Sequence, residues 1–147
     1  MALGRAGASA LGLRTLSVVI GMFLVFMGID KISWLTNDGV LAGRFREWLE
    51  TAPAASRWYL EKVAVPGTPV FARVVPLAEM AAGAALVCGF KTRLAAALAL
   101  LMVLNFHFAS DVLLHYSYLT NGYGLPVVGS LLALAVGGTG LPFSLSK

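Results

Sequence analysis

Charge is scarce in this sequence: Asp, Glu, Lys and Arg make up 12% of its 147 residues, against 59% hydrophobic. An ordinary soluble domain is about half apolar and a quarter charged. The mean hydropathy of +0.82 therefore excludes that class and points to a chain solvated by lipid. Cysteine is nearly absent as well. Cys88 stands alone, which rules out an intramolecular disulfide, and His107 and His115 are the only histidines beside it. No Cys-rich zinc or iron–sulfur site can be built by this chain alone, and the redox compartment stays open. Low-complexity tracts, internal repeats and Gly-rich phosphate loops are lacking too. "GVLAG" and "GGTG" have neither the strand–turn–helix context nor the lysine of such loops. The net charge of +4, from 11 basic and 7 acidic residues, reads in so apolar a chain as flanks facing anionic lipid. No nucleic-acid partner is expected.

Long apolar runs are what the sequence has. A bilayer core takes about 20 apolar residues in helix, and four stretches meet that length, near residues 16–34, 70–90, 94–114 and 125–143. The expected fold is all-α, an integral membrane four-helix bundle forming a single domain over 1–147. The N-terminal arginines followed by an apolar run resemble a signal peptide, but no small-x-small cleavage site follows, so the run reads as a retained first span.

The one long connection, 35–69, predicts structure of its own. Asn37 or Asp38 is placed to cap a helix running to about Glu50, with Val40, Leu41, Phe45, Trp48 and Leu49 on one face and Arg44 interrupting it. Pro53 is placed to open a second short helix, "AASRWYLEKV", that ends before Pro66. Both read as amphipathic helices at the outer surface, with Trp48, Trp58 and Tyr59 at headgroup level, serving as a lid, a docking surface or a plain cap. Within the spans, Gly21 and Gly28 share a face of the first helix, and Ala78, Ala82, Gly83 and Ala85 make a small-residue surface on the second. Such residues mark close helix packing in lipid.

Four spans put both termini on the side of the turn "GFKTR". That side carries Arg5, Arg14, Lys91, Arg93 and Lys147 with no acid; the other carries Lys31, Arg44, Arg46, Arg57, Lys62 and Arg73 among six acids. The first set lies in short segments close to the membrane, where basic residues set orientation. Both termini are therefore expected to be cytoplasmic, in a bacterial inner membrane.

Against this apolar background the polar residues stand out. Glu79 lies about 14 Å below the start of its span, near the midplane, and Asn105 and His107 lie about 17 to 20 Å up theirs. A lone carboxyl there is expected to be neutral and to donate a hydrogen bond to Asn105 or His107. Arg73 and Asp111, nearer the outer surface, are expected to pair, and Asp30 and Lys31 complete an outer-half polar cluster. Three roles compete. The cluster could fix helix packing, or it could hold a quinone or other small ligand through Glu79, Asn105, His107 and Asp111 with Lys31 and Arg73. It could also bind a metal through His107, Asp111, His115 and Glu79, which have suitable ligand types but no sharp motif. No metal site and no catalytic residue are assigned.

Three pieces of sequence, in order, carry a resemblance. They are "FLVFMGIDKISW", with Gly28 and Lys31; "PLAEMAAGAALVCGFKTR", with Glu79, Gly83, Gly89, Thr92 and Arg93; and "AAALALLMVLNFHFA". Together they resemble the DoxX-like family of small four-span bacterial membrane proteins. The resemblance implies a four-helix bundle with the acidic residue inside it, and an association with membrane redox systems, the family taking its name from a thiosulfate:quinone oxidoreductase. No catalytic set comes with it. The expected role is a non-catalytic accessory subunit of a larger membrane complex of electron-transfer type, with larger subunits or further copies as partners. The alternative is a quinone-interacting subunit of an oxidoreductase. No covalent cofactor is expected; quinone or lipid is the expected small-molecule partner.

Overall fold

A computed structural model describes residues 5–113 and 115–146, with side chains from residue 7 onward. Leu114, Lys147 and the Arg5 side chain, used above for span ends and orientation, lie outside the described residues. The helices are α1 (Arg5–Asp30), α2 (Gly39–Thr51), α3 (Ala54–Tyr59), α4 (Thr68–Cys88), α5 (Thr92–Ala109), α6 (Tyr116–Thr120) and α7 (Leu125–Gly137). A 3-10 turn, Ile32–Leu35, follows α1, and a wide turn, Leu60–Ala64, follows α3. The fold is all-α, with no strand among the described residues. Helices α1, α4, α5 and α7 close a ring, α1 packing most extensively on α4 and α5 on α7.

Three helical stretches are long and apolar enough to cross a membrane: Gly7–Asp30, Thr68–Cys88 and Thr92–Ala109, of 24, 21 and 18 residues. The expected boundaries shift at each polar or glycine-rich end. The first helix extends to Arg5 at one end and stops at Asp30 rather than residue 34. The third stops at Ala109, because Ser110 Oγ bonds back to the Phe106 carbonyl at 2.9 Å and Asp111 turns to a positive φ of 54°. The fourth is helical only to Gly137, since "GGTG" follows and Gly140 takes a φ of 61°. Its 13 residues rise about 20 Å, short of the ~30 Å hydrocarbon core. The chain beyond folds back on the α4–α5 turn, Leu145 N donating to Cys88 O at 3.1 Å and Ser146 N to Gly89 O at 3.3 Å.

Antiparallel backbones touch where α1 meets α4. A Cβ on Gly83 would meet Gly21 O at 2.6 Å and Val25 N at 2.7 Å, and one on Gly28 would meet Pro76 O at 2.7 Å. The glycines expected to mark packing faces thus form one seam. Ala78, Ala82 and Ala85 turn the other way and line a groove between α4 and α5. Around Ile20, Leu24, Leu86, Ala96, Leu131 and Leu134 the four helices share a core.

The 35–69 connection builds a second core over one end of the bundle, joining Trp34, Leu41, Phe45, Leu60 and Ala64 to Ala72, Val75 and Ala109 of α4 and α5. Leu41 and Leu60 are wholly buried. These helices cap the bundle and do not simply lie flat on the membrane surface. Trp58 is exposed, but Trp48 packs against Phe45 and Phe106, and the Tyr59 hydroxyl reaches inward to Asn105. Arg44 and Val40 are both exposed, so Arg44 falls outside the buried face of Leu41, Phe45, Trp48 and Leu49. At the start of α2, Asn37 Oδ1 accepts from Gly39 N at 3.1 Å, whereas Asp38 makes no side-chain cap.

The glycine seam predicts a sharp contrast between two identical substitutions. Gly83→Ala inserts a methyl group against backbone that cannot give way, and should destabilise the bundle by about 1 to 3 kcal/mol. Gly12→Ala, where nothing lies within 4 Å of the added carbon, should be neutral or slightly stabilising. Unfolding of both variants in mixed detergent, followed by circular dichroism, measures the difference.

Candidate functional site

Glu79 sits mid-way along α4 with its side chain 9% exposed, and its partner is Lys31. The lysine follows the last residue of α1 and folds back along that helix. Its Nζ lies 2.8 Å from Glu79 Oε2, 3.1 Å from Oε1 and 2.9 Å from the Met27 carbonyl. All three ammonium protons therefore have acceptors, two of them the oxygens of one carboxylate. This corrects the expectation that Glu79 is lone and bonds to Asn105 or His107. The reach of a four-carbon stem explains the difference: Lys31 begins near the end of the bundle but delivers its charge roughly a turn deeper. A charge at membrane depth costs several kcal/mol when alone and is tolerated when paired.

One face of the pair opens on a cavity of about 160 Å³. Lys31, Glu79 and His107 supply its polar wall, and Phe23, Phe106 and Tyr123 its aromatic one. His107 Nδ1 is buried without a hydrogen-bond partner, while its ring stands edge-on to Tyr118 with centroids 5.0 Å apart. At ~30 Å³ per molecule the space would take about five waters, or a single six-membered ring. Two features give this wall chemical capacity. The Glu79 oxygens keep lone pairs that Lys31 does not use, and Nδ1 is a donor or an acceptor according to its tautomer.

The remaining expected residues separate. Asn105 Oδ1 accepts from the Tyr59 hydroxyl at 2.7 Å, which ties α5 to the cap. Arg73 and Asp111 do not pair. The exposed Arg73 guanidinium bonds to the Pro69 carbonyl one turn back on its own helix, and Asp111, past the end of α5, lies 3.8 Å from His115 Nε2. The set His107, Asp111, His115 and Glu79 is not assembled, since the helix that was to align the first three ends at Ala109. Among the described residues no group of three or more His, Cys, Asp and Glu is placed to hold a metal ion.

One polar residue was misassigned from sequence. Arg14, counted as a membrane-flank charge, is buried. It donates from Nη1 to Leu86 O at 2.9 Å and from Nη2 to Val87 O at 2.6 Å, while Ser17 Oγ donates to Leu86 O at 2.8 Å. These carbonyls belong to the last turn of α4, whose negative dipole end favours a cation. The signal was present in the sequence. Arg14, Ser17, Gly21 and Gly28 recur at spacings of three, four and seven, which put them on one helical face.

Removing one member of the Lys31–Glu79 pair should hurt more than removing both. Lys31→Met leaves a buried carboxylate uncompensated and should cost about 3 to 5 kcal/mol, whereas Lys31→Met with Glu79→Leu should recover most of that loss. Detergent unfolding of wild type, both single variants and the double variant measures the coupling.

Comparison with known proteins adds one finding. No curated protein and no solved structure matches the chain. The DoxX family profile matches residues 12–110, the stretch that runs from α1 through the cap and α4 to the end of α5. That span holds Arg14, the glycine seam, Lys31, Glu79 and His107, and by it this membrane protein belongs to the DoxX family.

Proposed function

We propose that this chain is a membrane subunit of an electron-transfer system that holds a quinone-type head group between the Lys31–Glu79 pair and His107. The observations that carry the reading are a ring-sized cavity lined together by Lys31, Glu79 and His107 and a buried His107 Nδ1 with no hydrogen-bond partner. A para-disposed pair of ring oxygens has chemistry that matches such walls. In the reduced form one hydroxyl donates to the free lone pairs of Glu79, and the other meets His107 Nδ1 as the acceptor tautomer. In the oxidised form a carbonyl accepts from Nδ1–H. The aromatic wall stacks on the ring. The chain's own role is to bind and orient, and electron delivery falls to a partner.

A second reading has its own support. The three Lys31 protons are already taken by protein acceptors, as a purely structural stitch between α1 and α4 requires. On that reading the chain is a non-catalytic accessory subunit whose polar residues fix helix packing, and a larger membrane complex or further copies cover its apolar surface.

His107→Phe separates the two, because it removes Nδ1 while leaving the ion pair and the ring volume in place. Binding of a short-tailed ubiquinone to the purified protein, read by tryptophan fluorescence, should weaken at least tenfold in His107→Phe with helix content unchanged. Unchanged binding, or no binding to wild type, removes the quinone reading. Stoichiometric co-purification with larger chains that survives His107→Phe then supports the accessory one.

We also propose that both termini and the α4–α5 turn face the cytoplasm of a bacterial inner membrane. Lys91 and Arg93 stand exposed at that end, and basic residues beside short turns favour that side. The single, exposed Cys88 supplies the probe. A membrane-impermeant thiol reagent should label it in inverted vesicles and leave it unlabelled in intact spheroplasts; the reverse pattern inverts the topology.

A further inference from the structure

A second cavity, more open, has neither Lys31 nor Glu79 in its lining. It is an open groove of about 570 Å³ between α4 and α5, walled by Val74, Ala78, Ala81, Leu94 and Leu98 among others, and almost wholly apolar. From Leu94 to Asn105, two of the α5 residues that line it, it follows eleven residues, or about 17 Å at 1.5 Å per residue. That is roughly half of the ~30 Å hydrocarbon core, the depth of one leaflet. Its far end is closed by Phe71, Phe106 and Asn105, and the Asn105 oxygen there is already engaged by Tyr59.

Its near end is different in kind. At Lys91 and Leu94 the groove meets a second, more polar pocket of about 280 Å³, formed by Thr92, Arg93, the 138–140 segment and Ser146. Among the described residues, no Asp or Glu lines either space. Lys91 is exposed and its Nζ makes no hydrogen bond or ion pair among the described residues, lying only over the Phe90 ring at 5.9 Å. Arg93 spends its Nε on the Ala135 carbonyl at 3.0 Å, which fixes the guanidinium at the pocket while leaving its other donors for a ligand. The first turn of α5 adds the positive end of an 18-residue helix.

We propose that this composite space is a binding site for one anionic phospholipid, its phosphate between Lys91 and Arg93 and one acyl chain in the α4–α5 groove. Length, polarity and charge agree on that occupant. A leaflet-deep apolar channel that begins beside Lys91, with Arg93 on the adjoining pocket, matches a single chain hanging from a single anionic head. A second copy of the protein could fill the groove but would leave Lys91 without a counter-charge, because the exposed groove walls carry no acid.

Native mass spectrometry of the full chain, with phosphatidylglycerol and phosphatidylcholine of identical acyl chains offered in equal amount, tests this. Wild type should retain one phosphatidylglycerol in preference to phosphatidylcholine by tenfold or more, each basic residue near a membrane surface favouring anionic lipid about fivefold. Lys91→Ala with Arg93→Ala should erase the preference, and Ala81→Phe, at an exposed position on the groove wall, should lose the adduct of either lipid. Circular dichroism confirms that the variants keep their helices; should Ala81→Phe unfold, Leu98→Trp on the facing wall makes the same test. Equal retention of the two lipids by wild type, a preference that survives loss of both cations, or a dimer that only the groove variant dissociates would each overturn the proposal.

Discussion

The antiparallel seam between α1 and α4 is the constraint on which the rest of the structure depends. At its centre the two backbones touch, which only glycine at positions 21, 28 and 83 allows. In lipid no hydrophobic force draws helices together, so this close approach and the polar contacts flanking it must supply the association. Those contacts stand at the two ends of the seam. Toward the α4–α5 turn, Arg14 and Ser17 close the last carbonyls of α4; toward the cap, Lys31 reaches Glu79. Arg14 lies in α1 and Lys31 directly follows it, and both find acceptors on α4, so the seam has a fixed register and direction.

The other elements are arranged on that frame. Helices α5 and α7 pack against it to complete the main core around Leu24, Leu86 and Leu131, and the short helices α2 and α3 close one end through Leu41, Phe45 and Leu60. Among its spaces, two differ in character. One is lined by Lys31, Glu79 and His107 beside apolar and aromatic residues. The other is peripheral and apolar, between α4 and α5, where Ala78 and Ala82 are too small to fill the gap between helices. Small residues on α4 serve two faces: Gly83 admits α1, and Ala78, Ala82 and Ala85 leave the α4–α5 groove open.

Much of the fold was legible before any coordinates. Apolar runs gave four core helices, Pro53 and Pro66 bracketed the second cap helix, and the spacing of Gly21 and Gly28 marked a packing face. Helix ends were less legible, because hydropathy continues past the point where local chemistry stops the helix. Ser110 and the positive φ of Asp111 end α5, and "GGTG" ends α7, although the residues beyond both remain apolar enough to read as span. Pairing was the least legible feature. Glu79 and His107 do line one cavity, but an expected depth alone does not choose partners. Lys31 reached Glu79 through a long side chain, and Tyr59 reached Asn105 from a helix whose position over the bundle end no linear pattern specifies. Arg14 was hidden by a rule: a basic residue near a span end reads as a membrane flank, and only its periodicity with Ser17, Gly21 and Gly28 says otherwise.

Glu79 is bound to Lys31 across the α1–α4 seam, which leaves His107 Nδ1 without a hydrogen-bond partner. Solid-state magnetic resonance of the protein in lipid bilayers, with Lys labelled at Nζ and Glu at Cδ, measures that distance directly. The account predicts a nitrogen–carbon dipolar coupling corresponding to the 2.8 and 3.1 Å contacts between Lys31 Nζ and the two Glu79 oxygens, absent from a Glu79→Gln sample made with the same labels. A Glu79 signal with no coupling to lysine, and coupled instead to the His107 ring, would contradict it.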